Sequence, residues 1–384
     1  MDALFDPERH EPLTETPWDA GEAADAIVRI VADTQGAASP EGRWPVHPND
    51  GKRADVGLYF GSAGVVWALD YLAREGAALA GTSFTDHLPD MLAKGLQAEG
   101  YLLARSGILA VQCRLAPSAQ AMDALATVIA ENMENPALEL MWGAPGTLLA
   151  ALFMHRATGE ARWSDLFRTG AEALERSYVF DEAAGCFLWA QNLYGEPPAW
   201  LGAVHGFAGN AYVLWAGRDL LEPEIWAQWS SRLGQTFVAT AQWDGAHANW
   251  SAFQPPRANI MVQHCHGAPG MVTCLGLLDE PIDDVLLAAG ELTWTAGPLT
   301  KGANLCHGTA GNGYAFLKLF ERTGDQLWLD RARAFAMHAI AQSDAEAQAL
   351  GQRRYSLWTG DPGVAVYLLD CIKARARFPT MDVF

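Results

Sequence analysis

Two short stretches of the sequence place thiol and imidazole side chains directly in front of a small turn. VQHCHGAPG covers residues 262–270 and NLCHGTAG covers residues 304–311, so the triplet Cys-His-Gly occurs twice, each time leading into Gly-x-x-Gly. A third turn of this kind, in AVHGFAG, is preceded by His205. Thiolate and imidazole are ligands of tetrahedral zinc, and three protein ligands with one open position are typical of a catalytic site. These stretches therefore predict a metal centre with room for a substrate.

The alternative to a metal centre is ordinary packing of the same residues. A buried cysteine behaves as a small apolar side chain, and a histidine in a loop often only donates or accepts a hydrogen bond. Because the Cys-His pair recurs at matched positions, we favour the metal hypothesis. The cysteines are scattered along a long chain without a tight framework, which favours free thiols and a reducing compartment. They are Cys113, Cys186, Cys265, Cys274, Cys306 and Cys371.

The Gly-x-x-Gly turn recurs along the whole chain, which indicates an internal repeat. An apolar stretch of helical period follows each copy, and a second helical stretch with more charge lies between copies. We therefore expect each repeat to form a pair of helices, with the apolar helix in the inner layer of the fold. Units of roughly 40 to 60 residues bury their apolar faces against their neighbours, and seven of them can close a ring. The copies are GSAG at 61–64, a degenerate ARSG at 104–107, GAPG at 143–146, GFAG at 206–209, GAPG at 267–270, GTAG at 308–311 and GDPG at 360–363.

Composition and charge argue against several classes of partner. The chain has 384 residues, half of them hydrophobic, with 26 Lys and Arg against 45 Asp and Glu, a formal net charge of −19. Such a charge disfavours nucleic acid and anionic membrane surfaces. The sequence has no signal-peptide pattern and no run of about 18 apolar residues. We expect a cytoplasmic protein without membrane insertion, with residues 1–384 as one domain and residues 1–20 as a segment that can be extended.

In order and wording, these motifs resemble the lanthionine synthetase C-like (LanC-like) family. The matching stretches run from about Tyr59 to Cys371 and are ELMWGAPG, AVHGFAGNAY, HCHGAPGM, KGANLCHGTAGNGYAFLKLF and SLWTGDPG. The resemblance implies an all-α toroid of two nested seven-helix rings. It further implies one zinc ion held by Cys265, Cys306 and His307, whereas His264 and His266 are expected to pack around the site.

The resemblance also implies thioether formation, in which a thiol adds to the β-carbon of a dehydroalanine or dehydrobutyrine residue. A free thiol with a pKa of about 8.5 is mostly protonated at neutral pH, whereas a zinc-bound thiol is deprotonated. The resulting enolate must be protonated, and His205, which matches the catalytic histidine of the family, is the expected proton donor. Glu139, four residues before Gly143, is expected to orient His205 or to handle a proton.

Several residues favour the eukaryotic-type, glutathione-adding branch over the lantibiotic cyclases. Those cyclases commonly read Cys-Tyr-Gly in the fifth repeat, with Arg four residues before the cysteine, whereas this chain has Cys-His-Gly and Met261. Lys301, five residues before Cys306, matches a basic residue associated with glutathione in that branch. The expected partners are glutathione or another thiol and a peptide or protein that contains dehydroamino acids.

Three functional hypotheses are compatible with these motifs. The first is a zinc-dependent transferase that adds glutathione to dehydrated residues, and the second is a cyclase that forms lanthionine rings in a precursor peptide. The third is a non-catalytic zinc-containing scaffold, which His205 argues against because a structural site needs no proton donor. Zinc-dependent prenyltransferases also use a helical toroid, but their site includes an Asp, and no Asp stands beside either Cys-His-Gly triplet.

Overall fold

The computed structural model describes residues 4–51, 55–79, 81–193, 199–256 and 261–384. Within these ranges the chain forms fourteen α-helices. The odd-numbered helices are α1 (Ala20–Gly36), α3 (Leu88–Lys94), α5 (Ala119–Glu131), α7 (Ala161–Ser177), α9 (Pro223–Ala239), α11 (Asp283–Ala296) and α13 (Gln326–Leu350). The even-numbered helices are α2 (Ser62–Arg74), α4 (Arg105–Leu115), α6 (Ala144–Thr158), α8 (Phe207–Ala216), α10 (Ala268–Leu275), α12 (Thr309–Thr323) and α14 (Asp361–Lys373). Each even-numbered helix begins immediately after the first residue of a Gly-x-x-Gly copy.

The even-numbered helices form a closed inner ring. Each one contacts the next from α2 to α14, and α14 in turn contacts α2. These helices are buried on nearly all sides, as in α6, where every residue from 144 to 152 is buried. Each odd-numbered helix packs outside an even-numbered one, and α1 covers α14, so the outer ring is completed by the first helix of the chain. The predicted all-α toroid of two nested seven-helix rings is confirmed.

Three short antiparallel ribbons interrupt this helical plan and were not predicted from the sequence. The strands β1 (Tyr178–Asp181) and β2 (Cys186–Trp189) pair with each other, as do β4 (Gln242–Asp244) and β5 (His247–Asn249). The third ribbon joins β3 (Ala199–Trp200) to β6 (Phe253–Gln254), which lie ahead of the fourth and fifth turns. Strands of two to four residues are too short for an alternating pattern to reveal them.

The second glycine of each turn is required by a close backbone approach. In all seven copies, a Cβ at this position would lie 1.8–2.3 Å from the carbonyl oxygen six residues earlier. A larger residue would therefore push the turn away from the helix that it starts. The first position is also crowded in the six copies that carry glycine there, where a Cβ would lie 1.9–2.6 Å from a backbone atom, whereas the degenerate copy carries Ala104 and still keeps Gly107. This local constraint explains why the sequence shows the repeat so clearly.

Backbone hydrogen bonds gather the turns at one end of the barrel. They join residues that stand two positions before six of the seven turns, and the side chains at these positions are buried. The bonds run from the amide of Tyr59 to Leu102, of Leu102 to Met141, of Cys265 to Cys306, of Cys306 to Trp358 and of Trp358 to Tyr59. Equivalent residues of different repeats therefore converge, although they are far apart in the sequence. No helix in the described ranges combines the length and the apolar character that crossing a bilayer requires.

Candidate metal centre and active site

The converging turns bring three metal-type donors together. The Sγ atoms of Cys265 and Cys306 and a ring nitrogen of His307 all lie within 4.8 Å of one another. Both cysteines are buried and His307 is half-buried. Two sulfurs and one imidazole nitrogen are a donor set that suits zinc, and three protein donors leave one tetrahedral position for a substrate. The residues predicted as zinc ligands are thus adjacent, and they fit this metal.

The backbone fixes the positions of the three donors. The amide of Cys265 donates to the carbonyl of Cys306 at 3.0 Å, and the amide of Cys306 donates to the carbonyl of Trp358 at 2.9 Å. The amide of His307 donates to Oδ1 of Asn304 at 3.0 Å. Because neighbouring turns are tied together directly, the donors keep their spacing without help from flexible side chains. This arrangement favours a preformed site.

The interaction between the two sulfurs shifts the pKa values of Cys265 and Cys306 in opposite directions. A hydrogen bond from Cys306 is the main reason that the pKa of Cys265 lies well below its usual value, and the imidazoles of His266 and His307 act in the same direction. The same hydrogen bond, together with burial, raises the pKa of Cys306. Negative charge is therefore favoured on Cys265, and this is the form in which a cysteine binds metal.

A histidine and a carboxylate from two other turns form a pair at the same end of the barrel. Nδ1 of His205 lies 2.9 Å from Oε2 of Glu139, which is fully buried. The carboxylate of Glu139 also accepts the backbone amides of Met141 and Trp142, so the third turn fixes its orientation. A buried carboxylate that faces Nδ1 sets the tautomer and the plane of an imidazole ring. The two residues predicted to act in proton transfer are in direct contact.

Ring contacts connect this pair to the metal-type donors. The rings of His205 and His266 are nearly parallel, with their centroids 6.0 Å apart. The indole of Trp200 lies beside both, with its centroid 6.0 Å from that of His205 and 5.6 Å from that of His266. Since His266 follows Cys265 directly, the proton donor predicted from the fourth turn lies close to the cysteine of the fifth.

His264 is placed in the packed core. It is fully buried, its ring stacks on Phe378 at 4.3 Å between centroids, and burial lowers its pKa to about 4. His266 is half-buried, and burial lowers its pKa as well. Within the described part of the chain, the metal-type cluster contains neither ring. Both placements agree with the packing roles expected from the sequence.

Lys301 lies on the exposed loop that precedes α12. Its positive charge acts against the rise in the pKa of Cys306, so it is within electrostatic reach of that sulfur. The structure does not bring Lys301 into contact with the metal-type donors. Its predicted role therefore depends on a bound ligand.

Sequence reasoning missed a cavity beside His307. This cavity has a volume of about 540 Å³, and its wall includes His307, Phe60, Arg354 and Tyr355. Arg354 pairs with Asp50, whose Oδ2 lies 3.1 Å from Nε. The two consecutive arginines at 353–354, which precede the seventh turn, were the sequence feature that could have indicated this cavity. The charge pattern gave no indication that the chain folds Asp50 against it.

The chain forms a closed double ring of helix pairs, with a Cys-Cys-His triad at the end where its turns meet. These features define the class of helical toroids with a zinc-type site. More specifically, a family model described as lanthionine synthetase C-like protein matches residues 23–383, and the chain belongs to this family. The family resemblance drawn from the sequence motifs is confirmed.

Two curated relatives and one solved structure show what the chain is similar to. It is 27% identical to glutathione S-transferase LANCL1 of Danio rerio over 277 residues, which cover 64% of this chain. It is 28% identical to LanC-like protein GCL1 of Arabidopsis thaliana over 290 residues, which cover 66% of this chain. The matches span 62% of the length of each relative. The structure of nisin cyclase shares the fold, with a TM-score of 0.61 and 13% identity over 91% of this chain and 93% of that one.

Proposed function

We propose that this protein is a zinc-dependent enzyme that adds a thiol, preferably glutathione, to dehydroalanine or dehydrobutyrine residues and forms a thioether. The observation that carries the proposal is the presence of two sets of groups at one end of the barrel. One is the Cys265, Cys306 and His307 triad, and the other is the His205–Glu139 pair. The name of the Danio rerio relative, a glutathione S-transferase, supports the choice of thiol.

The triad and the pair divide the chemistry between them. When bound by the triad, a zinc ion would supply the positive charge that keeps a substrate thiol deprotonated at neutral pH. The thiol releases its proton to solvent, attack of the sulfur on the β-carbon forms the carbon–sulfur bond, and the π electron pair of the alkene moves to the α-carbon as an enolate. The α-carbon of the enolate then takes a proton from Nε2 of His205, since Nδ1 of the same ring faces Glu139. Glu139 orients the ring through this contact.

We expect Glu139→Gln to lower the addition rate, but by less than removal of His205. The amide no longer offers a negative charge to the imidazole, although it keeps the size of the side chain. Glu139→Asp is the matched control, since it retains the charge, and it should retain more activity than Glu139→Gln. The measurement is the single-turnover rate of the zinc-loaded variants, with zinc content and circular dichroism recorded for each. Equal rates for wild type and Glu139→Gln would show that the carboxylate has only a structural role.

The preference for glutathione is proposed to depend on Lys301. On a chain with a net charge of −19, an anionic thiol is repelled unless a fixed cation offsets the field. Lys301→Ala should raise the half-saturating glutathione concentration several-fold, and the difference should shrink as salt is added, because partly exposed ion pairs are screened. Lys94→Ala, which changes an exposed lysine of α3, is the control. Identical glutathione dependence in wild type and Lys301→Ala would remove this role.

One experiment separates the three hypotheses. Purified zinc-loaded protein is mixed with dehydroalanine peptides that contain or lack an internal cysteine, with and without glutathione, and the products are read by mass. Adducts that contain glutathione support the transferase. Cyclised peptide without any glutathione adduct would favour the lanthionine cyclase, a function that fits the shared fold with nisin cyclase. If neither product forms, the scaffold hypothesis becomes the better one. A single domain over residues 1–384 and a cytoplasmic location stay predictions.

A further inference from the structure

The sulfur of Cys265 accepts a hydrogen bond from a buried amide. Nε2 of Gln263 lies 3.0 Å from Sγ of Cys265, and Gln263 is only 4% exposed. At the other end of the same amide, Oε1 accepts a hydrogen bond of 3.2 Å from Nη2 of Arg9. We propose that Arg9 and Gln263 form a positioning pair that orients the sulfur of Cys265 and withdraws charge from it for metal binding. This proposal rests on the assignment of Cys265 as a metal ligand under the proposed function.

Arg9 determines which way the amide points. A guanidinium has only donors, so its partner on Gln263 must be the carbonyl oxygen. This leaves the amide nitrogen, which is a donor, to face the sulfur. If the amide were rotated by half a turn, its nitrogen would meet the guanidinium and its oxygen would meet a thiolate, and both contacts would be repulsive. Arg9 thus determines, from the far side of the Gln263 amide, that the amide nitrogen faces the sulfur of Cys265.

The backbone on both sides of the sulfur restricts movement of this amide. The amides of Gln263 and His266 each donate to the carbonyl of the other at 3.1 Å, which closes a tight turn with Cys265 inside it. Gln263 and Cys265 are therefore held two positions apart in one turn. Because the turn is closed, rotation of the Gln263 side chain is the main freedom left, and Arg9 removes it.

Arg9 is itself held firmly by the segment around it. It ends a short 3-10 helix, Pro7–Arg9, in which the side chain of Asp6 accepts a hydrogen bond from the amide of Glu8. Both the amide and the hydroxyl of Thr300 donate to the carbonyl of Arg9, at 3.0 and 3.1 Å. The N-terminal segment is therefore fastened to the loop between α11 and α12, directly before Lys301. Arg9 is half-buried, and its guanidinium is directed toward Gln263 by the hydrogen bond from Nη2.

A donor beside a ligand sulfur has two chemical consequences. An N–H···S bond draws electron density from a thiolate, so the metal keeps more positive charge for the substrate thiol. The same withdrawal makes the ligand sulfur a poorer nucleophile, and a dehydroalanine acceptor is an electrophile that reacts with exposed thiolates. The phenol of Tyr59 acts to lower the pKa of Cys306. The donor on the sulfur of Cys265 is reinforced by the Arg9 cation.

Zinc affinity, measured by competition with a chromophoric chelator, tests the pair without any need for catalytic activity. Gln263→Leu should weaken zinc binding by about 10- to 100-fold, the range seen when supporting partners of metal ligands are removed. Gln263→Glu should weaken it more, because it keeps a partner for Arg9 but turns an oxygen toward the sulfur. Arg9→Met should have a smaller effect in the same direction, and no additional effect in the Gln263→Leu background. Arg29→Met, which changes an exposed arginine of α1, should bind zinc like the wild type.

Cobalt-substituted protein provides a second readout. Loss of the amide donor should shift the thiolate-to-cobalt charge-transfer band of Gln263→Leu, and Arg9→Met should shift it less. If Gln263→Leu does not fold, Gln263→Asn keeps an amide that is one methylene too short and should show the same loss. Unchanged zinc affinity in Gln263→Leu or Gln263→Asn would overturn the proposal, as would an Arg9→Met effect that persists without Gln263. Full zinc binding by Cys265→Ala would instead show that the metal assignment itself is at fault.

Discussion

Replacing any one of Cys265, Cys306 and His307 with alanine is expected to abolish zinc binding. The wild type should carry about one zinc ion per chain, since two thiolates and one imidazole provide three of the four ligands of a tetrahedral site. A variant with two protein ligands would hold the metal far too weakly to keep it through dialysis against a chelator. Metal analysis of the dialysed proteins measures this directly. Among the described residues the metal-type cluster holds these three donors, so loss of one leaves two ligands.

Two variants serve as controls for this loss. Cys274→Ala removes a buried cysteine of α10 whose pKa is raised by burial, which marks it as an apolar core residue. It should keep its zinc. His266→Ala should also keep zinc, although His266 stands between Cys265 and the turn. Full zinc content in Cys265→Ala would contradict the assignment, and loss of zinc from His266→Ala would show that the neighbouring ring is the true ligand.

His205→Asn is expected to lower the rate of thiol addition by about 10²- to 10⁴-fold, the usual contribution of a positioned general acid. Asparagine is close in size to the first half of the imidazole ring and can still face Glu139, but it cannot donate a proton to a carbanion. Zinc content should stay at the wild-type level because His205 is outside the metal-type cluster. The measurement is the single-turnover rate at saturating thiol, followed by mass.

A histidine elsewhere on the inner ring provides the control. His155→Asn changes a residue in the last turn of α6, where the ring makes a weak contact of 3.5 Å with the carbonyl of Glu160. The addition rate of this variant should match the wild type. If His205→Asn were equally fast, water would be the source of the proton, and the contact between His205 and Glu139 would serve structure alone.

The sequence by itself determined the features that follow from local physical constraints. A Cβ on the second glycine of each turn would meet a carbonyl oxygen only six residues away, so this requirement appears in every copy, even where Ala104 replaces the first glycine. The helical period is likewise a local feature, because apolar residues three and four positions apart lie on one face of the same helix. For the same reason, the sequence marked His205, Cys265, His266, Cys306 and His307 as candidates, because each is in front of such a turn. The family resemblance then implied which three of them hold the metal.

The tertiary structure decided everything that depends on closure of the ring. Packing of α1 on α14 joins the two ends of the helix series, and no periodicity within either helix encodes that partner. The contact of His205 with Glu139 spans 66 residues and that of Arg9 with Gln263 spans 254. Such pairs form because seven turns converge on one axis and bring side chains from distant segments within hydrogen-bonding distance. A single sequence gives the chemistry of each side chain, but only the closed ring determines which of them meet.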